Sequence, residues 1–197
     1  MTRVIAGLAR GRRLAVPPGS GTRPTSDRAR EGLFSTLAAL VGPLDGLRVA
    51  DLFAGSGAVG LEAASRGAGH VLLVESDRRA AAVAAANVDQ VGVAGVVVRT
   101  AGVESVVAAP PPGGPFDVVF LDPPYATTEA EVAALLEALV ANGWPASDGV
   151  VVVERPTRRT SLTWPDGVVA DRERSYGEGT LWYGRAVRGT DPPPAGS

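Results

Sequence analysis

From residue 47 onward, short runs rich in Val and Leu alternate with segments of helical period, and that alternation leaves a chain few options. It specifies a parallel sheet whose strands are joined by crossover helices. Residues 47–53, 71–74, 96–98, 118–121 and 150–153 read as strands, and 58–66, 78–91, 103–108 and 129–141 as the helices between them. The result is a doubly wound α/β domain. Two further strands, 168–174 and 180–187, flank Ser175-Tyr176-Gly177-Glu178-Gly179, which reads as a Gly-containing loop. With 197 residues the chain has room for one well-buried core. The expected organisation is a basic extension over 1–43, a Rossmann-like domain over 44–188 and a disordered tail over 189–197.

The extension has its own pattern. Residues 3–16 carry two short apolar stretches around a middle rich in Gly and Arg, which reads as a hairpin. Pro17, Pro18, Gly19 and Gly21 break regular structure. Thr25 or Ser26, with Asp27, then signals a helix start, and Ala29, Leu33, Leu37 and Leu40, with Phe34 and Val41, give that helix one apolar face. Its arginines are expected to stay in water.

Net charge is −2, yet seven arginines (Arg3, Arg10, Arg12, Arg13, Arg23, Arg28 and Arg30) precede residue 31 against the single acid Asp27. The sequence has no lysine, and guanidinium groups suit bidentate phosphate contacts. Arg3, Arg10, Arg12, Arg13, Arg23 and Arg28 are therefore candidate contacts to nucleic-acid phosphates, with a merely solvated basic face as the alternative reading. No apolar run is long enough to span a bilayer, and the N-terminus lacks a secretory pattern, so a soluble cytoplasmic protein is expected. With no cysteine, disulfides, thiolate zinc sites and cysteine nucleophiles are excluded. The lone histidine, His70, reads as structural, and no metal is expected. Trp144 and Trp164, each before a proline, read as closing small satellite cores.

Directly after the first core strand comes Asp51-Leu-Phe-Ala-Gly55-Ser-Gly57-Ala-Val-Gly60, with G-x-G-x-x-G spacing at a helix start. Glycines there permit a tight turn and close approach of ligand to backbone. Two cofactors fit such a loop, a dinucleotide or S-adenosylmethionine, and Glu75 at the end of the next strand serves the ribose of either. Asp51 favours the second, because a carboxylate there suits the ammonium of a methionine moiety. Phe53, Ala54, Gly55, Ser56, Gly57 and Gly60 complete the loop. Asp77 reads as the cap of the following helix.

The fourth core strand runs into Asp122-Pro123-Pro124-Tyr125. An exocyclic amine on a base is a poor nucleophile because its lone pair is delocalised into the ring. Two acceptors aimed at its hydrogens, the Asp122 side chain and the Pro123 carbonyl, help it pyramidalise, while Pro124 stiffens the turn and Tyr125 stacks on the base. The base must be unpaired or flipped to reach them. Positioning then carries the methyl transfer, with no metal and no covalent intermediate.

These motifs, with Arg3-Val-Ile-Ala-Gly7, Arg10-Gly-Arg-Arg-Leu14, Arg23-Pro-Thr-Ser-Asp-Arg-Ala-Arg-Glu31, Leu33-Phe34, Glu75-Ser76-Asp77 and Tyr176-Gly-Glu-Gly-Thr-Leu181, resemble the bacterial RsmD-type 16S rRNA guanine-N2 methyltransferases over nearly the whole chain. The resemblance implies a class I methyltransferase fold, a seven-stranded mixed sheet with a small N-terminal hairpin and helix. It implies S-adenosylmethionine as cofactor and 16S rRNA of an assembling small subunit as partner, taken by a monomer. It adds Ser76, Thr100, Ala101 and Asp122 to the cofactor contacts. Read without it, the same residues leave an adenine-N6 DNA methyltransferase, an NAD-dependent oxidoreductase and a noncatalytic RNA-binding assembly factor open. Asp27, Arg28 and Glu31 read either as surface ion pairs or as a cover over the cofactor. Tyr176 reads as a loop anchor or as a wall of the base pocket.

Overall fold

The computed structural model describes residues 2–17, 26–158 and 162–187. In chain order the elements are β1 (Thr2–Arg3), β2 (Arg13–Leu14), α1 (Asp27–Val41), β3 (Arg48–Leu52), α2 (Ala58–Ser65), β4 (His70–Glu75), α3 (Arg78–Val91) and β5 (Val96–Thr100). They continue with α4 (Val103–Val107), β6 (Phe116–Leu121), α5 (Glu129–Ala141), β7 (Pro145–Pro156), β8 (Val168–Tyr176) and β9 (Gly179–Ala186). β3 to β9 form one seven-stranded sheet in the order β5-β4-β3-β6-β7-β9-β8. Strands β3 to β7 are parallel, and β9 enters antiparallel between β7 and β8.

Both faces of the central strands are covered, which is why their sequences are near-continuously apolar, Asp51 of β3 and Asp117 of β6 being exceptions, rather than apolar at alternate positions. Val49, Val71, Leu73, Val118, Phe120 and Val152 point to one face, beneath Leu33, Phe34 and Leu37 of α1 and Ala63 of α2. Ala50, Leu52, Val119, Leu121, Val151 and Val153 point to the other, beneath Val106 of α4 and Leu135 and Leu136 of α5. Local chemistry sets the helix ends. Ser26 Oγ accepts the Ala29 amide, Asp77 caps Arg79 and Ala80, and Thr128 forms a capping box with Glu131. Among the described residues no helix is long and apolar enough to cross a membrane.

The N-terminal hairpin is a clip rather than a ribbon. Only two residue pairs, Thr2 with Leu14 and Arg3 with Arg13, form strand bridges. Between them the chain packs Val4, Ala9 and Leu14 onto Ala58 and Leu61 of α2 and Val91 of α3. Its amides find partners on α2. Ile5 and Ala6 donate to the Glu62 carboxylate at 2.6 and 3.0 Å, Leu8 to the Ser65 carbonyl at 2.7 Å, and Ala9 to Ser65 Oγ at 2.9 Å.

Several sequence expectations need correction. Arg30 is fully buried, not in water. Its Nη2 donates to Thr2 Oγ1 at 3.1 Å, the Arg3 carbonyl at 2.6 Å and Asp27 at 2.9 Å, and its Nε lies 3.9 Å from the equally buried Glu62. Helical period alone could not show this, because the partners come from the hairpin and from α2. Trp144 belongs to the main core beneath α5, fully buried against Phe116, with Nε1 donating to the Ala109 carbonyl. The loop expected over 175–179 shrinks to Gly177 and Glu178, because pairing of Ser175 with Thr180 and Tyr176 with Gly179 extends both strands. Strand β7 runs well beyond 150–153. The expected tail 189–197, Pro18 to Gly21 and Thr25 lie outside the described residues.

Removing the Glu62 carboxylate would leave the buried Arg30 with only the half-exposed Asp27 as a compensating charge, and two hairpin amides without their acceptors. Glu62→Ala is expected to lower unfolding free energy by about 3–5 kcal/mol in urea denaturation and to expose Arg10 to Arg13 to trypsin. A loss well under about 1 kcal/mol would show that this buried pair does not hold the extension.

Candidate functional site

In an open α/β sheet, ligands bind beyond the carboxyl ends of the strands where the order reverses. Here the chain leaves β3 towards β4 and β5, then returns to pair β6 on the other side of β3. Leu52 pairs with Leu121, and the Asp122 amide reaches the Leu52 carbonyl at 3.4 Å. The glycine loop after β3 and the Asp-Pro-Pro-Tyr turn after β6 therefore leave the sheet side by side.

The glycine loop is tightly specified. Phe53 adopts a left-handed backbone (φ 70°), a conformation costing a non-glycine residue about 1–3 kcal/mol and typical of functional turns. The Ala54 amide crosses to the Val74 carbonyl at 2.9 Å. Gly57 starts α2 with φ 78°, where a side chain would be strained. A Cβ on Gly60 would lie 2.2 Å from Leu73 Cδ2, so only glycine lets α2 sit this close to β4. By contrast, a Cβ on Gly55 would meet nothing within 4 Å, because that residue faces the open crevice.

Acidic groups line the crevice. Asp51 is 2% exposed, and its Oδ2 accepts the Gly60 amide at 2.9 Å. Burial, reinforced by the nearby charge of Glu75 and opposed by the Gly60 hydrogen bond, pushes its carboxyl up to about 7. Among the described residues it has no ion-pair partner. Glu75 ties two loops together, Oε2 accepting from Gly55 and Oε1 from Asp77, both at 2.8 Å. The Glu75 carbonyl accepts the Ala101 amide at 3.0 Å, which brings Thr100 and Ala101 to the same edge. Ser76 is exposed beside them.

Across the crevice, Asp122 is partly buried, Pro123 buried, and Pro124 and Tyr125 exposed. Burial raises the Asp122 carboxyl well above the usual carboxylate range, Glu154 and Asp51 raise it further, and Arg155 opposes them. Arg155 is 3% exposed and donates to the Thr127 carbonyl at 2.6 Å, bracing the turn that carries Tyr125. A loop closed by Thr127 N–H to Pro124 carbonyl at 2.9 Å completes that turn.

The candidate arginines are spread out. Arg3, Arg10, Arg12, Arg13 and Arg28 are exposed, and Arg23 lies outside the described residues. Arg12 donates to the carbonyls of Gln90 and Val91, neutralising the carbonyl end of α3. Asp27 pairs with Arg30. Tyr176 packs over Gly32 of α1, where a Cβ would lie 2.1 Å from its hydroxyl, and so it is placed as an anchor.

Sequence reasoning missed Asn87. This fully buried amide accepts from the Ala15 amide at 2.8 Å and donates to the Ala15 and Ser56 carbonyls at 3.0 and 2.9 Å. One side chain thus joins the extension to the glycine loop. The signal was present, since Asn87 sits on the stripe Ala80, Ala84, Val91 that the helix buries. Arg155 and Glu154 carried no signal beyond their charge at the end of an apolar run.

The family Conserved hypothetical protein 95 matches residues 2–185. Ribosomal RNA small subunit methyltransferase D of Escherichia coli K12 is 36% identical over 176 residues, covering 89% of this chain and 85% of the relative. Its Haemophilus influenzae counterpart is 35% identical over 177 residues, covering 89% of each. Among solved structures, yhhF of Escherichia coli superposes with TM-score 0.81 at 34% identity, covering 94% of this chain and 98% of that one. A hypothetical protein of Thermus thermophilus gives 0.74 at 36%, covering 93% and 98%.

If Asp51 takes the ammonium of a bound cofactor, its raised carboxyl makes that binding pH-dependent. An ammonium selects the ionised form, so S-adenosylhomocysteine affinity is expected to rise by up to about tenfold per unit as pH approaches 7, then level off, with Asp51→Asn flat and weaker. The free protein shows the opposite sign. A carboxyl raised from 3.8 to about 7 stabilises the fold when protonated, and that contribution is lost as pH climbs between those values. Calorimetry across pH 5.5 to 8.5 checks the first statement; an affinity independent of pH would refute it.

Proposed function

The chain belongs to the Conserved hypothetical protein 95 family, that of the RsmD-type small-subunit rRNA methyltransferases, and from that membership we propose that it transfers a methyl group from S-adenosylmethionine to the N2 amine of a guanine in 16S rRNA. The observation that carries the reading is the adjacency of two loops distant in sequence. The Asp122 amide bonds to the last residue of β3, so the glycine loop and the Asp-Pro-Pro-Tyr turn share one crevice. A dinucleotide-dependent oxidoreductase would give that turn no role.

The residues fit the cofactor. Asp51 offers a buried carboxylate without a cation among the described residues, which an α-ammonium would supply. Glu75 holds the loops through Oε1, which accepts from Asp77 and Ser76, and through Oε2, which accepts from Gly55 and keeps a second lone pair for a ribose hydroxyl. Phe53, Ala54, Gly55 and Ser56 form the floor, with Ser76, Thr100 and Ala101 beside the adenine. When bound, S-adenosylmethionine supplies a methyl group on a sulfonium whose sulfur departs as a neutral thioether.

Everything else is the work of this chain. The Asp122 carboxylate and the Pro123 carbonyl accept the two N2 hydrogens and turn the nitrogen lone pair towards the methyl. Tyr125 stacks on the flipped base. As the N–C bond forms, the amine sheds a proton, and a carboxylate whose pKa lies above the usual range is the stronger base to take it. Orientation supplies most of the rate. The exposed guanidinium groups of Arg3, Arg10, Arg13 and Arg28, with Arg12 and Arg23, bind RNA phosphates in an assembling small subunit. All the proposed contacts come from one chain, so a monomer suffices.

Two measurements test this. Asp122→Asn is expected to lower kcat for tritiated methyl transfer to small-subunit particles by about 10²- to 10⁴-fold; label found only in DNA adenine would overturn the assignment. Replacing Arg13 and Arg28 with alanine is expected to flatten the salt dependence of RNA binding, by a slope of about one for each phosphate contact removed. An unchanged slope would exclude those two side chains from the interface.

A further inference from the structure

The crevice holds an acidic group that the methyl-transfer chemistry does not use. Strands β6 and β7 are parallel and in register through Leu121 with Val153. One residue further on, Asp122 comes level with Glu154. Alternation along the strands fixes their faces. Leu121 and Val153 point beneath α5, so Asp122 and Glu154 point to the opposite face, the one bearing Asp51 and Gly60. Arg155, the next residue, falls on the α5 side with Thr127.

Two carboxylates on neighbouring strands repel one another, and Glu154 is among the groups that raise Asp122. Yet the fold makes room for Glu154. A Cβ on Gly179, where β9 begins at the same edge, would lie 2.9 Å from Glu154 Oε1, so glycine there leaves the carboxylate its space. The β8–β9 turn is fixed around it. Thr157 donates its amide to the Glu178 carbonyl at 2.7 Å, and Thr180 Oγ1 donates to Thr157 Oγ1 at 3.2 Å. Glu154 therefore stands beside Asp122, on the side away from β3 and the glycine loop.

We propose that Glu154 reads the Watson–Crick edge of the acceptor base, accepting N1–H of guanine beside the N2 amine that Asp122 holds. The inference rests on the guanine-N2 reading above and gives it a physical cause. Guanine presents three donor hydrogens in a row, one on N1 and two on N2. Two side-by-side carboxylates and the Pro123 carbonyl are the acceptors that such an edge needs. Adenine presents its amine beside an unprotonated N1, whose lone pair would face the Glu154 carboxylate with no hydrogen between them. A partly buried acceptor facing a ligand lone pair instead of a donor is one way a site rejects an analogue.

The test compares guanine with 2-aminopurine at the target position of the RNA substrate, since 2-aminopurine keeps the N2 amine but carries no hydrogen on N1. The unaltered enzyme is expected to prefer guanine in kcat/KM on the order of 10- to 100-fold, the discrimination of a good bidentate contact. Glu154→Gln, whose amide can donate to an unprotonated N1, is expected to narrow or invert that ratio while S-adenosylhomocysteine affinity and thermal unfolding stay near those of the parent. Gly179→Ala, which displaces the carboxylate without altering charge, is expected to narrow it as well. A fall in rate that is equal for both bases in both variants would overturn the role of Glu154. Absence of N2 methylation by the unaltered enzyme would instead overturn the guanine-N2 reading on which it rests.

Discussion

The backbone ladder between β3 and β6 is the interaction on which the rest depends. These strands lie about seventy residues apart in sequence, and four residue pairs from Val49 with Val118 to Leu52 with Leu121 lock them in parallel. Parallel neighbours must end at the same edge. That single constraint carries the glycine loop and the Asp-Pro-Pro-Tyr turn to one crevice. A slip of β6 by one residue would send Asp122 to the opposite face, away from Asp51 and the Gly60 amide that Asp51 accepts.

At that edge the protein accepts an unfavourable electrostatic arrangement. Asp51 is buried, Asp122 is crowded by Asp51 and Glu154, and Arg155 counters only part of the repulsion. Carboxylates crowded together and partly desolvated destabilise a free protein. They become favourable when a ligand brings the missing positive charge and N–H groups, as an ammonium beside Asp51 and the donor edge of a base beside Asp122 would do. Stability withheld in the free state is thus available for binding.

The extension follows a different logic. Its buried charges are matched inside the protein, with Arg30 against Asp27 and Glu62, and Glu62 against two hairpin amides and Arg66. Asn87 then joins Ala15 to the carbonyl of Ser56. The hairpin that carries Arg3, Arg10, Arg12 and Arg13 is consequently fixed to the same helices that position the glycine loop. RNA engaged by the extension and a cofactor held by the loop would act on one rigid unit.

Much of this was legible in the residues themselves. Apolar runs of strand length between helical stretches determined the α/β class, and the start of α3 follows from Asp77, because capping is local chemistry. The glycine loop and the proline turn could be recognised because each is contiguous. What the sequence did not contain was the pairing order that sets Asp122 beside Leu52 and Glu154 beside Asp122, nor the burial of Arg30 and Asn87. Each of those depends on partners 27 to 72 residues away, and only closure of the sheet brings such groups within hydrogen-bonding distance.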